Sequence, residues 1–161
     1  IVPLTISYEY DPCDYLKAKE FQLKRDNPMY RKSRKDDLEN MKTGIMGFKG
    51  RVAYECAPCI DTWLDELEGI PDGYFFDEVA RRMDREIHKG YTLFPGNYIA
   101  ADWLSGTQEF ADKYTAADKA VFEKYLAGQL KKIDIPGKDE AFLRECMLTM
   151  YANPAINHLA I

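Results

Sequence analysis

The sharpest local pattern in the sequence is a pair of cysteines, Cys56-x-x-Cys59. A C-x-x-C between a strand and the start of a helix is typical of a redox-active thiol pair, because a helix N-terminus lowers the pKa of a thiol. The same spacing supplies half of a zinc site, but Cys13 and Cys146 form no second C-x-x-C. We favour a third interpretation, in which both cysteines are small buried hydrophobic residues.

The two histidines are candidates for acid–base chemistry. Asp84 lies four residues before His88, so the two side chains could pair on a helix, whereas His158 has no evident partner. A general base needs an orienting carboxylate and a cleft, and we favour an exposed helical pair instead. No Ser-His-Asp order, phosphate loop or H-E-x-x-H motif is present. We therefore predict no catalytic and no metal-ligating residue in this chain.

A basic stretch stands out against the acidic remainder. Eight basic and two acidic residues lie between positions 17 and 35, so the remainder sums to −11 in a chain of net charge −5. The basic residues are Lys17, Lys19, Lys24, Arg25, Arg31, Lys32, Arg34 and Lys35. Such a concentration favours binding of phosphate, an acidic carrier protein or anionic lipid headgroups, and the alternative is a solvated face on two helices. We predict no nucleic-acid partner, because the pI is near 5.1 and no reader motif is present.

Two strands must position these residues. Residues 1–10 are β-branched and aromatic and apolar on both faces, which is typical of a strand buried in a parallel or mixed sheet. Residues 51–56 alternate as a second strand. Two strands alone are not a stable sheet, and the chain opens without Met, signal peptide or polar lead-in. We therefore expect the chain to be the C-terminal part of a longer protein.

The rest of the sequence predicts helices. The pattern places them near residues 15–25, 31–46, 59–67, 75–87, 97–104 and 115–130, and a last helix carries Phe142 to Met150 and breaks at Asn153-Pro154. In the second of these, we expect the apolar side chains to face inward, namely Leu38, Met41, Ile45 and Met46. The predicted fold class is α+β, dominated by helix.

Four irregularly placed cysteines without a secretory signal favour a reducing, cytoplasmic location, and no apolar run approaches the roughly 20 residues of a membrane span.

Four stretches carry a resemblance to a known family. Ile1-Val2-Pro3-Leu4-Thr5-Ile6 is similar to a strand rich in Val, Ile and Pro that follows a Glu-Gly-Thr-Arg phosphate-binding block. Residues 50–60 resemble a Gly-x-Val strand running to Pro-Ile, with Cys59 as an extra residue. Residues 84–100 and 150–154 resemble a bacterial branch with a helical C-terminal extension. The family is that of lysophosphatidate (1-acylglycerol-3-phosphate) acyltransferases.

The resemblance implies a partial α/β acyltransferase sheet in residues 1–60 and a helical extension in residues 61–161. It implies fatty acyl transfer from acyl-CoA or acyl carrier protein to a glycerol-phosphate hydroxyl in phospholipid synthesis, without a cofactor. The catalytic His-x-x-x-x-Asp of the family is absent, because Leu93 stands five residues after His88. That motif and the Glu-Gly-Thr-Arg block lie upstream of the matching strand in the family, so this chain alone is expected to be inactive.

The resemblance also suggests where substrates bind. Tyr8, Tyr10 and Asp11 are expected near the mouth of the active site, because loops after the C-terminal ends of strands line such sites. Lys17, Arg25 and Arg31 are expected to contact an acidic carrier or the inner face of the cytoplasmic membrane. Apolar surface around residues 1–10, normally covered by the upstream half, should be exposed.

An alternative of another class is a self-contained helical binding module. It would dock an acidic partner through the basic stretch of residues 17–35 and would need no upstream domain.

Overall fold

The structure, a computed structural model, describes residues 1–161 apart from the side chain of Asp72. Two strands are present, β1 (Leu4–Tyr8) and β2 (Val52–Cys56). The helices are α1 (Asp14–Asp26), α2 (Arg34–Met46), α3 (Asp61–Leu64), α4 (Asp72–Lys89), α5 (Pro95–Ser105), α6 (Ala116–Lys131) and α7 (Glu140–Leu159), and a 3-10 turn covers Asp65–Leu67. The predicted helix-dominated α+β class is confirmed at this level.

β1 and β2 form an antiparallel pair in which Ile6 lies opposite Tyr54. The polar side of β1 faces the protein: the hydroxyl of the buried Thr5 donates to the carbonyl of Ile87 on α4 at 3.1 Å. Leu4 and Ile6, on the other side, are 50% and 43% exposed. The described residues supply one antiparallel neighbour and no layer over the apolar side, so the strand is not in a parallel or mixed sheet within this chain. The predicted exposure of apolar surface around residues 1–10 is observed.

The core lies among α1, α5, α6 and α7. Its fully buried side chains include Ala18 from α1, Ile99 from α5, Leu126 from α6, and Leu143 and Met147 from α7. α5 and α7 make the most extensive helix pair of the fold. This core holds α1 and α6 in place, and those two helices form part of the walls of the site described below.

Side-chain caps begin three of the helices, α2, α6 and α7. Thr115 caps α6 and Ser33 caps α2, each in a reciprocal capping box with an aspartate three residues on. α1 differs, because its N-cap is Cys13. A carboxylate oxygen of Asp11 accepts from the backbone N–H of Cys13 at 2.8 Å, and Asp14 becomes the first helical residue and is fully buried.

The prediction that the apolar side chains of α2 face inward is wrong. They point to solvent at 63–77% exposure, namely Leu38, Met41, Ile45 and Met46. The inner side of α2 is made of small or polar residues: the thiol of Cys13 donates to the carbonyl of Asn40 at 3.4 Å, and Gly44 lies against the same sulfur. The close approach occurs just after the helix, where a Cβ atom on Gly47 would overlap Pro12, and the apolar stripe lies on the outward side.

The predicted break of the last helix at Asn153-Pro154 is also wrong, since α7 continues to Leu159 with Pro154 inside it. A proline in a helix removes one backbone hydrogen bond and costs roughly 3 kcal/mol. Here Ala152 and Ala155 on either side of it are fully buried, and the amide of Asn97 donates to the carbonyl of Tyr151 at 2.8 Å. Packing of α7 against α5 therefore overrides the local signal.

Candidate functional site

A groove of about 680 Å³ opens between α1, α2 and α6, directly after β1. This volume lies within the roughly 300–1,000 Å³ of ligand pockets in proteins. Its lining is mainly aromatic and aliphatic, and consists of Tyr10, Pro12, Tyr15, Thr43, Gly47, Phe48, Val121, Lys124, Tyr125, Gly128, Gln129 and Lys132. This groove is the candidate functional site.

The groove is shaped by the close approach of α2 to the turn before α1. A Cβ atom on Gly47 would overlap the ring of Pro12 and the carbonyl oxygen of Thr43, so only glycine fits at this point. On the opposite wall, α6 presents one helical face, with Val121, Tyr125 and Gly128 following at spacings of three and four. A Cβ atom on Gly128 would meet nothing within 4 Å, because it would point into the open groove.

Aromatic rings make the apolar wall. The ring centroids of Tyr10 and Tyr125 are 4.3 Å apart, and those of Tyr10 and Phe48 are 5.7 Å apart. Two exposed lysines, Lys124 and Lys132, lie at the rim, and the ammonium of Lys132 is 5.0 Å from the centre of the Tyr15 ring. Neither lysine has an ion-pair partner among the described residues. The groove therefore combines apolar walls with positive charge at its edge.

Beneath the groove lies a buried cluster around the carboxylate of Asp14. One carboxylate oxygen accepts from the hydroxyls of Tyr125 and Tyr151 at 2.7 and 2.8 Å. The other accepts from the side-chain amide of Gln129 and from the backbone N–H of Tyr15, each at 2.5 Å. The two tyrosine hydroxyls are 3.0 Å apart. Tyr125 and Gln129 also line the groove, so they join the buried carboxylate to the open site.

Burial governs protonation in this cluster. It raises the pKa of Asp14, although the hydrogen bonds from the tyrosines and from Gln129 act in the opposite direction. Burial, and then the nearby Asp14 carboxylate, raise the pKa of both Tyr125 and Tyr151, so both phenols stay protonated and donate. The hydrogen bonds to Asp14 hold the side chains of Tyr125 and Gln129 in fixed positions in the wall of the groove.

The structure brings three of the predicted site residues to this region. Tyr10 lies in the groove wall. The backbone N–H of Asp11 donates to the hydroxyl of Tyr151 at 3.0 Å, and its carboxylate pairs with Lys17 at 2.5 Å. Tyr8 is partly exposed at the end of β1, with the ammonium of Lys49 6.0 Å from its ring centre.

Arg25 and Arg31 lie away from the groove. Arg25 is at the far end of α1, where it pairs with Asp26 and Asp139 at 2.8 and 2.9 Å and covers the ring of Phe142. Arg31 is exposed in the following loop and donates to the backbone carbonyls of Pro28 and Tyr30.

Much of the predicted basic stretch is neutralised within the protein. Lys24 and Lys32 share the carboxylate of Glu20 at 2.7 and 2.8 Å, in addition to the ion pairs of Lys17 and Arg25. Over the part of the chain that the structure describes, the remaining four basic residues have no ion-pair partner, namely Lys19, Arg31, Arg34 and Lys35.

The cysteine pair differs from the interpretation that we favoured. Cys56 is exposed at the end of β2 and Cys59 is half-buried, so they are not two buried hydrophobic residues. Both thiols are free, and Cys59 precedes a helix of only four residues. Within the described residues, no three His, Cys, Asp or Glu side chains come together as a metal site.

The histidines make contacts that the sequence did not indicate. The Nδ1 atom of His158 lies 2.8 Å from the backbone carbonyl oxygen of His88, so His158 has a partner after all. The imidazole of His88 stacks on Tyr91 at 5.6 Å between ring centres. Among the described ion pairs, none joins His88 to Asp84, so the expected local pair is not formed.

Sequence reasoning missed the residues that build the site floor. The sequence analysis named neither Asp14 nor Tyr125 as a site residue. The one available signal was the spacing of Tyr125 and Gln129, which are four residues apart and therefore lie on the same face of α6.

Comparison of the chain with models of protein families, with curated proteins and with solved structures found no match. None of the described helices is long and apolar enough to cross a lipid bilayer.

Proposed function

We propose that the chain is the C-terminal part of an acyltransferase of phospholipid synthesis. In this proposal residues 1–60 complete an α/β acyltransferase sheet, and residues 61–161 are a helical extension. The upstream part supplies the His-x-x-x-x-Asp motif, whose histidine acts as general base on a glycerol-phosphate hydroxyl. The acyl donor is acyl-CoA or acyl carrier protein, no cofactor takes part, and the protein works in the cytoplasm at the inner face of the membrane.

The groove after β1 is the observation that carries this proposal. Its walls of Tyr10, Phe48 and Tyr125 suit an alkyl chain, because they remove apolar surface from water. Lys124 and Lys132 at the rim suit the phosphate of a donor or acceptor. Tyr10 and Asp11, expected near the mouth of the active site, lie in its wall and immediately beside it.

The outward side of the β1–β2 pair suits contact with a further part of a longer protein. Leu4, Ile6 and Tyr54 form a contiguous exposed apolar surface, and exposed apolar patches of this kind mark places where another element packs. In the proposal, strands of the upstream half cover it. Arg31 and the other cations without a carboxylate partner would face the acidic carrier or the membrane.

The groove is tested by measuring the binding of palmitoyl-CoA to the purified chain with isothermal titration calorimetry. The concentration of palmitoyl-CoA is kept below the value at which it forms micelles. Gly128→Leu places a branched side chain where a Cβ atom meets nothing within 4 Å, and the helix gains stability because glycine costs about 1 kcal/mol. We expect Gly128→Leu to raise the Kd at least about tenfold, equivalent to about 1.4 kcal/mol. Gly128→Ala is the matched control and should bind as the unaltered chain does.

Binding that is absent in the unaltered chain, or equal in both variants, would contradict a role for the groove. The transfer reaction is tested separately by reading the coding sequence in frame before Ile1. If that sequence encodes His-x-x-x-x-Asp followed by Glu-Gly-Thr-Arg, it would support the acyltransferase proposal. A start codon directly before Ile1 would contradict the proposal.

A second candidate, a self-contained binding module for an acidic partner, is favoured by one observation. Arg31, Arg34 and Lys35 are exposed, and the described residues supply them with no carboxylate partner. A chain that melts cooperatively, fails to bind palmitoyl-CoA and loses an acidic partner on charge reversal at these three positions would favour the module.

A further inference from the structure

α2 presents an apolar stripe that no part of the described chain covers. Leu38, Met41 and Ile45 follow at spacings of three and four, which places them on one side of the helix, and Met46 lies beside them. All four are well exposed, and α2 contains no buried residue. Phe48, just after the helix, is exposed as well.

The stripe lies in a basic part of an acidic protein. Residues 31–51 contain seven basic and three acidic residues, whereas the whole chain carries −5. Lys32 and Arg51 pair with Glu20 and Glu9. Among the described residues, Arg34, Lys35 and Lys42 have no ion-pair partner. Arg34 precedes Leu38 by one helical turn, and Lys42 follows it by one turn, so both lie beside the stripe. Of the acidic residues, Asp36 is bound in the capping box with Ser33, and Asp37 and Glu39 remain exposed.

The size of the stripe favours a lipid surface over a protein partner. A stable protein interface commonly uses about 20–30 residues on each side, whereas this stripe is one side of a helix of 13 residues. In a symmetric pair of copies, the cations at both ends of the stripe would face one another. A helix with an apolar side and basic flanks inserts shallowly into the interface of an anionic membrane.

We propose that α2 is a docking site for an anionic membrane surface, with the side chains of Leu38, Met41 and Ile45 entering the bilayer interface while Arg34, Lys35 and Lys42 contact lipid phosphates. This inference rests on the exposed apolar side of α2 and the cations beside it, and does not require the proposed acyl transfer. It differs from the sequence-based expectation, which assigned membrane contact to Lys17, Arg25 and Arg31.

The test is flotation of the purified chain with vesicles of phosphatidylcholine containing 30 mol% phosphatidylglycerol, or of phosphatidylcholine alone. We expect binding to the anionic vesicles that weakens as salt is raised. Met41→Ser/Ile45→Ser should lower the partition coefficient at least about tenfold, because apolar burial drives insertion. Lys42→Glu should lower it by at least about fivefold, the effect of one lysine near an anionic surface.

Matched controls are Ile156→Ser on α7 and Lys131→Glu on α6, which remove an exposed apolar side chain and an exposed cation elsewhere. Both should bind as the unaltered chain does, and none of the variants should change the thermal midpoint greatly, since every altered side chain is exposed. Absence of binding, or equal losses in the controls, would overturn the proposal. So would a dimer in sedimentation equilibrium that Met41→Ser/Ile45→Ser dissociates, because the stripe would then join two copies.

Discussion

Asp14 is a carboxylate held out of water by donors from distant parts of the chain. Tyr125 and Tyr151, which donate to it, are 111 and 137 positions away in sequence. The spacing of residues in a sequence reports on one helix or strand at a time. It could therefore indicate that Asp14 lies at the start of a helix, but not that it contacts distant tyrosines. Tyr10 and Asp11 were accessible to prediction for the opposite reason, since a residue that follows a strand is placed by that strand alone.

The raised pKa of Asp14 makes stability depend on pH in a defined direction. Its pKa is higher in the folded than in the unfolded state, so between the unfolded value near 3.9 and the folded value the native state binds more protons. Stability from this group therefore falls as pH rises through that window. We expect the unfolding free energy of Asp14→Asn minus that of the unaltered chain to increase with pH, measured by urea titration from pH 4 to 8.

The control for this experiment is Asp118→Asn. Its hydrogen bonds with Thr115 hold the pKa of the Asp118 carboxyl below its usual value, so its contribution is present above about pH 4 and is lost in more acidic solution. The Asp118→Asn difference should therefore become more negative as pH rises from about 3 to 5. A flat or falling difference for Asp14→Asn would show that burial does not dominate its protonation.

At the scale of elements, the boundaries of helices were more predictable than their orientation. Capping residues such as Thr115 act locally, so the start of α6 could be read from sequence. The period of α2 identified an apolar stripe correctly, but periodicity cannot say which side of a helix meets the core. Gly47, just after α2, decided that, because it allows the end of the helix to approach Pro12 closely.

The two glycines give a matched test of that approach. We expect Gly47→Ala to lower the unfolding free energy by about 1–3 kcal/mol, because its methyl group would overlap Pro12 and force α2 away. Gly44→Ala places its methyl group 3.6 Å from the Cys13 sulfur, an ordinary contact, and should be neutral or stabilise by up to about 1 kcal/mol. Urea unfolding of both variants is the measurement, and equal effects would mean that α2 does not depend on this contact.

At the scale of the whole molecule, composition and periodicity were enough to predict an α+β chain dominated by helix. They did not predict which elements share the core, because α1 joins α6 and α7 across more than one hundred residues. They also placed the apolar side of β1 against other layers, whereas the structure turns Thr5 inward and Leu4 outward. Both outcomes depend on long-range packing, to which local pattern is insensitive.

The absence of any buried residue from α2 has a kinetic consequence. A helix held by so little burial opens locally at a small fraction of the free energy of global unfolding. We expect its amides to exchange with deuterium at a free energy several kcal/mol below that of α7, whose interior residues are fully buried. Similar protection of the two helices would contradict this.

Since Thr43, Gly47 and Phe48 line the groove, the opening of one helix would set how quickly a ligand enters and leaves, while the core stays folded.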